Sequence, residues 1–253
     1  MINYIGLEEA KSTNTYLLEH APSLPDATVV YTYRQTAGRG QKGNSWESEP
    51  GMNLAFSMLL KNPPLEAKQQ FCISEVVSVA ICGFLSQFAE GFKVKWPNDI
   101  YHDDQKICGI LIENSLNGKQ IAHSVIGAGI NINQTRFLSD APNPVSLKQI
   151  TGNDYDLDHL LHDVCQRIVE GMGRVLSDLS DQSDLSDLYS RYMECLYRND
   201  GQLHLWQLPD GTCFDAVIDY VAPDGMLTLR HADGSQHSYA FKEVKHIINN
   251  ITL

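Results

Sequence analysis

Gly127-Ala-Gly-Ile-Asn-Ile-Asn133 alternates with a period of two, the signature of a β-strand. Alternation puts Gly127, Gly129, Asn131 and Asn133 on one face and Ala128, Ile130 and Ile132 on the other. The apolar face suits a core. Glycine weakens a strand interior and commonly marks the close approach of a ligand or another backbone. A face of two glycines followed by two amides is therefore hard to explain by packing alone.

Working outward, strands are expected at Lys106–Asn114 and Ile121–Asn133, joined through Asn117-Gly118, a strong hairpin signal. A further strand, Lys93–Trp96, precedes the polar turn Tyr101-His-Asp-Asp-Gln105. Earlier runs at Ala27–Thr32 and Leu54–Leu60 read as strands, and 13–20 as a short helix with Ser12 or Thr13 as its N-cap. Helical spacing predicts helices over about 65–89, 157–177 and 184–197. After Asn199-Asp-Gly201 the character changes. Short β-like runs follow, punctuated by Pro209-Asp-Gly211, Pro223-Asp-Gly225 and Asp233-Gly234, which imply a small barrel or sandwich. A domain boundary is expected near 199, giving units 1–198 and 199–253.

The 253 residues carry a formal charge of -12, which argues against generic nucleic-acid binding. No run reaches the roughly 18–20 apolar residues of a membrane span. The N-terminus lacks the basic and apolar regions of a signal peptide, so a cytoplasmic location is expected. The six cysteines form no metal-ligand spacing and read as buried, reduced thiols.

Against that acidic background, Arg34-Gln-Thr-Ala-Gly-Arg-Gly-Gln-Lys-Gly-Asn-Ser-Trp46 stands out. Arg34, Arg39 and Lys42 fall within nine residues, with no acidic residue from there to Glu47, among glycines 38, 40 and 43 and with Trp46 at the end. The pattern suggests an anion site with a stacking surface, although it matches neither the P-loop nor the dinucleotide fingerprint. In Lys93-Val-Lys-Trp-Pro-Asn-Asp99 the proline should end the strand and present Asn98 and Asp99 at its rim. Lys106 opens the next strand, Lys-Ile-Cys-Gly-Ile-Leu-Ile-Glu113.

Taken in order, Ser12-Thr-Asn14, the 35–46 loop, Lys95-Trp-Pro-Asn-Asp99, Lys106-x-x-Gly109 and Gly127-x-Gly-x-Asn131 resemble the biotin protein ligases. The resemblance implies an α+β fold: a mixed sheet flanked by helices, related to class II aminoacyl-tRNA synthetases and lipoyl ligases, then an SH3-like barrel. It implies a ligase that activates biotin with ATP to biotinyl-5′-AMP and passes biotin to a lysine of a biotin carboxyl carrier domain. By family position, Arg39 and Lys106 are the catalytic pair. Ser12, Thr13, Asn14, Gln35, Gly38, Arg39, Gly40, Gln41, Lys106, Gly109, Gly127 and Gly129 would bind biotin, the last two flooring the channel for its tail. Arg39, Lys42, Gly43, Asn44, Trp46, Asn98, Asp99 and Asn131 would bind ATP or adenylate, with Mg²⁺ near Asn98, Asp99 and Asn131. Homodimerisation through sheet edges is common in the family; DNA and membrane partners are not expected.

Two departures matter. Many bacterial members carry an arginine where this chain has Gln41, so Lys42 and the loop backbone are expected to hold the intermediate instead. The Ser-Thr-Asn motif begins at residue 12, which leaves no room ahead of it for a DNA-binding domain and suggests a ligase without repressor activity. The rival readings are a lipoate ligase of the same fold, whose Arg-Arg-x-Ser-Gly-Gly-Gly type loop is missing, and a non-catalytic biotin or nucleotide sensor.

Overall fold

The structure, a computed structural model, describes residues 1–41, 44–139, 143–177 and 182–248, with 182–184 described by backbone alone. The chain runs β1 (Asn3–Leu7), α1 (Thr13–His20), β2 (Thr28–Thr32), β3 (Gly38–Arg39), β4 (Ser45–Trp46), β5 (Leu54–Lys61) and α2 (Phe71–Leu85). It continues through β6 (Phe92–Lys95), β7 (Asp99–His102), β8 (Gln105–Asn117), β9 (Gln120–Ile130), α3 (Leu147–Thr151), α4 (Leu157–Ser177) and α5 (Gln182–Cys195). Five short strands close it: β10 (His204–Gln207), β11 (Cys213–Val221), β12 (Leu227–His231), β13 (Gln236–Tyr239) and β14 (Lys245–His246).

Seven strands form the main sheet in the order β1-β2-β5-β9-β8-β7-β6. The β1–β2 pair is parallel and its other neighbours are antiparallel, so the sheet is mixed. The glycine strand β9 lies at its centre, with Gly129 opposite Gly109 of β8 on one side and Ala55 of β5 on the other. Its apolar face, Ile126, Ala128 and Ile130, joins the main core with residues of α2, α4 and α5. Helix α4 presents Leu160, Leu161, Val164, Ile168, Met172 and Val175 to that core, each buried side chain contributing roughly 1.5–3 kcal/mol. On the opposite face, Val125 packs with Leu17 and Ala21 beneath α1, and Gly127 and Gly129 continue beyond it. Ser12 starts α1 by accepting a hydrogen bond from the Thr15 amide at 3.5 Å, which brings Thr13 and Asn14 over the glycine face.

Several elements depart from the expected boundaries. The helix expected over 65–89 is confined to Phe71–Leu85: Glu66 and Gln69 close a capping box around a separate 3₁₀ turn, and Ser86 Oγ bonds back to the Cys82 carbonyl at 2.8 Å. The expected turn at 101–105 is tighter. Tyr101 and His102 belong to β7, and Asp103, at φ +50°, makes the reversal. β1 has no strong period-two signal and forms through pairing with β2. Strand β9 stops at Ile130, and Asn133 instead exchanges hydrogen bonds with the Tyr155 backbone at 2.8 and 3.0 Å. Helix α5 ends at Cys195 because Leu196 and Tyr197 turn along the outer edge of β6, where the Tyr197 amide reaches the Val94 carbonyl at 2.8 Å. Four cysteines are buried; Cys195 is half-buried and Cys213 exposed, so burial does not extend to all six.

The second sheet has the order β13-β12-β11-β10-β14. Its three Asp-Gly turns share one device. Asp210, Asp224 and Asp233 each accept from the amide two residues on, while Gly211, Gly225 and Gly234 take φ near +90°, a region that glycine enters freely. The sheet shares the main core through Trp206, Ile218, Leu227 and Leu229. Trp96 Nε1 donates to the Gly225 carbonyl at 3.0 Å, and Arg198 reaches Asp104 at 3.1 Å. These contacts bring β14 to the glycine face of the main sheet.

Candidate active site

A cavity of about 200 Å³ opens on that face. The start of α1, the 35–46 loop, Lys95–Asp99, Lys106, the β8–β9 glycines and the end of the second sheet surround it. Its inner end is a connected polar network. The Thr13 amide donates to Gln35 Oε1 at 3.1 Å, and Thr13 Oγ1 meets Ser57 Oγ at 2.7 Å. Ser57 donates to Asn14 Oδ1 at 2.5 Å, and Asn14 Nδ2 donates to Glu113 at 3.0 Å and to the Leu111 carbonyl at 3.2 Å. Satisfied buried networks of this kind are rigid, because breaking any member strands the next.

Of the described cations that line the cavity, Arg39 and Lys106 are each held by a carboxylate. Arg39 makes a two-pronged contact with Glu113, at 2.8 and 3.2 Å, and touches Thr15 Oγ1 at 3.4 Å. Lys106 Nζ lies 2.7 Å from Asp99 Oδ1 and 5.7 Å from the centre of the Trp46 ring. Pairing holds both cations in place without leaving bare charge, and both remain partly exposed. Behind them Lys95 donates to Tyr101 Oη at 3.2 Å; burial lowers its pKa against the pull of Asp99.

The glycines make room for side chains of this same chain. A Cβ on Gly127 would lie 2.0 Å from Asn14 Oδ1, and one on Gly129 would lie 2.4 Å from the Trp46 indole. One on Gly109 would meet the same ring at 3.0 Å. Asn14 and Trp46 thus lie directly over these glycines, which also border the cavity. The face is bare so that these two side chains can lie flat against the sheet.

Residues 6–131 match the biotin/lipoate A/B protein ligase family. The chain is 30% identical over 161 residues to a biotin–[acetyl-CoA-carboxylase] ligase of Paracoccus denitrificans, covering 61% of this chain and 67% of that protein. The chain belongs to the biotin protein ligase family. It is also 37% identical over 135 residues to the bifunctional ligase/repressor BirA of Escherichia coli, covering 52% of this chain and 41% of that one. The chain therefore spans less than half the length of such bifunctional relatives. In structure it is similar to the biotin protein ligase of Aquifex aeolicus in complex with biotin and ATP. That likeness has a TM-score of 0.78 and 26% identity, and covers 98% of this chain and 99% of the other.

Within this family fold, the residues singled out from sequence distribute unevenly. Ser12, Thr13, Asn14, Gln35, Arg39, Gly40, Gln41, Asn44, Trp46, Asn98, Asp99, Lys106, Gly109, Gly127 and Gly129 all border the cavity. Gly38 lies behind it, paired with Trp46 in the β3–β4 hairpin. Asn131 is also set back: it is 3% exposed and gives its amide to the Val145 carbonyl at 3.0 Å. Lys42 and Gly43 lie outside the described residues. Of the residues named for magnesium, Asn98 and Asp99 border the cavity and Asn131 is set back from it. Among the described residues Asp99 is the carboxylate on the cavity wall and is ion-paired to Lys106, and Asn98 donates to the Ile110 carbonyl.

Other participants escaped the sequence reading. Ser57 sits mid-strand in an apolar run, and Glu113 was noted only as the end of a motif; their link to Asn14 is made by the sheet register alone. Trp206, Phe241, Val244, Lys245 and His246 supply a wall from the second sheet. His246 packs against Trp206 at 3.5 Å between ring centres, and burial, then Lys95, Arg198 and His204, lowers its pKa to about 2.

Proposed function

We propose that this chain is an ATP-dependent biotin protein ligase that forms biotinyl-5′-AMP and transfers biotin to a lysine of a carboxyl carrier domain. The observation that carries the reading is the convergence of five separated motifs on one cavity with two pre-paired cations, Arg39 and Lys106. In the first step a biotin carboxylate oxygen attacks the α-phosphorus of ATP and pyrophosphate leaves. In the second, a free lysine amine attacks the acyl carbon of the mixed anhydride and AMP leaves.

Both steps bring anions together, so positioning and charge stabilisation carry the rate. Arg39 offers a planar fork and trades Glu113 for the ligand's oxygens. Lys106, aimed by Asp99, supplies a point charge where carboxylate and α-phosphate meet. The Gln35–Thr13–Ser57–Asn14 network offers fixed donors and acceptors for the ureido ring. Trp46 covers the acyl-adenylate, and Lys42 with the loop backbone retains it in place of a side chain at Gln41. Magnesium bound to the nucleotide's phosphates would offset their charge, with Asn98 and Asp99 as polar neighbours on the cavity wall.

The proposal includes a catalytic unit, 1–198, and an SH3-like unit, 199–253; the second sheet lies wholly between His204 and His246, which supports that division. It also includes a cytoplasmic location. Among the described residues no helix is long and apolar enough to cross a membrane. Sedimentation of the whole chain tests homodimerisation, for which β1 is one edge of the main sheet.

The deciding assay mixes the protein, biotin, Mg-ATP and a carrier domain and follows pyrophosphate release with the acceptor's mass. Biotin-dependent pyrophosphate and a modified acceptor lysine are expected. Adenylate formed only with lipoate would redirect the reading to the sister activity, and binding of biotin or ATP without pyrophosphate release would make the protein a sensor.

A further inference from the structure

Cys82 lies in α2 and Cys195 is the last residue of α5, far apart in the chain. Both pack in the main core on the helix-covered face of the sheet, and neither borders the cavity. Their thiols are hydrogen-bonded to one another, with the Cys82 S–H as donor and Cys195 Sγ as acceptor. Cys82 is 2% exposed, whereas Cys195 is half-buried and keeps access to solvent.

The surroundings treat the two sulfurs differently. The bond from Cys82, then Lys93 and Arg191, hold the Cys195 thiol below its ordinary value against burial and Glu194. Lys93 is fixed there, its Nζ donating to the Glu194 carbonyl at 2.9 Å. Cys82 is pushed the other way, first by the same hydrogen bond, then by burial and by the negative charge on Cys195. The thiolate is the reactive form of cysteine, so Cys195 is the nucleophile of the pair and Cys82 keeps its proton. Cys213 offers a contrast. It is exposed, but its sulfur meets Gln207 Nε2 and the Gly211 carbonyl, each at 3.5 Å, and no thiol among the described residues.

We propose that Cys195 is a site of reversible oxidation and Cys82 its resolving thiol, the two closing to a disulfide between α2 and α5. The oxidant is hydrogen peroxide. The Cys195 thiolate attacks one peroxide oxygen, the O–O bond breaks, and hydroxide leaves, so that sulfur is oxidised to the sulfenic acid. That step removes the charge and the acceptor that held the proton on Cys82. Cys82 sulfur then attacks Cys195 sulfur and the S–O bond breaks; the departing hydroxide takes the Cys82 proton and leaves as water. Overall two electrons pass from the dithiol to the peroxide. Access sets the order, because the buried Cys82 cannot meet the oxidant first. Neither sulfur touches the cavity, so the chemistry stands apart from the ligase reaction.

The test uses the full chain, reduced and then freed of reductant. It is treated with hydrogen peroxide, blocked with iodoacetamide, digested without reduction and mapped by mass spectrometry. A peptide pair linking Cys82 to Cys195 is expected as the first product, and dithiothreitol should separate it again. Without peroxide, iodoacetamide at neutral pH should label Cys195 about fivefold faster than the more exposed Cys213. In Cys82→Ala the oxidation should stop at a sulfenic acid on Cys195 that dimedone captures, and Cys195→Ser should slow oxidation at Cys82 by about tenfold. Peroxide that oxidises Cys213 first, links Cys82 to Cys108, or carries Cys195 to the sulfinic acid without a link overturns the inference. So does labelling of Cys195 no faster than that of Cys213. The mapping uses the unaltered chain, so it decides the matter even where a core substitution impairs folding.

Discussion

The two ends of the cavity differ in how their polar atoms are satisfied. Beside α1, Thr13, Asn14, Gln35 and Ser57 hold one another within a closed set of hydrogen bonds. Across the cavity, Gln41 Oε1, Trp46 Nε1 and both ring nitrogens of His246 are buried with no partner among the described residues. An unsatisfied buried polar atom costs about 1–3 kcal/mol, so a chain shaped by stability alone would have removed several of them. The α1 end is built to be rigid before any ligand arrives. The other end carries polar atoms that no described residue satisfies.

The largest effect that can test this contrast comes from the cations between the two ends. Lys106→Ala should lower pyrophosphate release by about 10²–10³-fold, with Arg39→Ala close behind. Thermal melting should hardly move, because both side chains are partly exposed. A matching loss of stability would show that they are structural ion pairs.

Next come the glycines. Gly127→Ala pushes a methyl group to 2.0 Å from Asn14 within the rigid network and should destabilise the protein by about 1–3 kcal/mol in urea unfolding. Gly129→Ala meets Trp46, which belongs to a loop that can yield, so catalysis should suffer more than stability. Equal costs would erase the distinction between a fixed end and a yielding one. A smaller effect is expected from Ser57→Ala. It removes two hydrogen bonds and should cost about 1–2 kcal/mol, raising the KM for biotin while leaving affinity for an ATP analogue unchanged.

The smallest effect is in pH dependence. His246 titrates near 2 in the fold but near 6.5 when unfolded, so between those values the unfolded chain binds the extra proton. Its contribution to stability is complete above pH 6.5 and falls as the pH drops. Glu75, raised by burial to about 7 from 4.5, acts oppositely: its contribution is complete below 4.5 and is lost as pH rises through 7. The two slopes offset one another between pH 4.5 and 6.5. Glu75→Gln should therefore make the melting temperature fall more steeply with acid than in the wild type, whereas His246→Gln should reverse the trend. Identical slopes in all three proteins would remove the account given for the His246 wall.

Much of the fold was legible because its signals are local. The 157–177 helix follows from spacing alone, and the Asn117-Gly118 hairpin from its turn residues. The glycine face of β9 was also legible, and both its glycines border the cavity; that Asn14 and Trp46 lie over them was not. β1 and β7 were missed because neither carries its pattern alone; β1 depends on β2, and β7 on β6 and β8. Ser57 looked like any polar residue in an apolar strand until the register set it against Asn14 and Thr13.

By itself the sequence determined the element types, the change of character near residue 199 and the residue types that make an anion site, since each depends on neighbours in the chain. Only the tertiary structure decided which carboxylate holds which cation, what lies over the glycines and that His246 closes the far wall. Those facts depend on groups brought together across dozens of residues, by sheet register and the packing of one sheet on another, which no local pattern encodes.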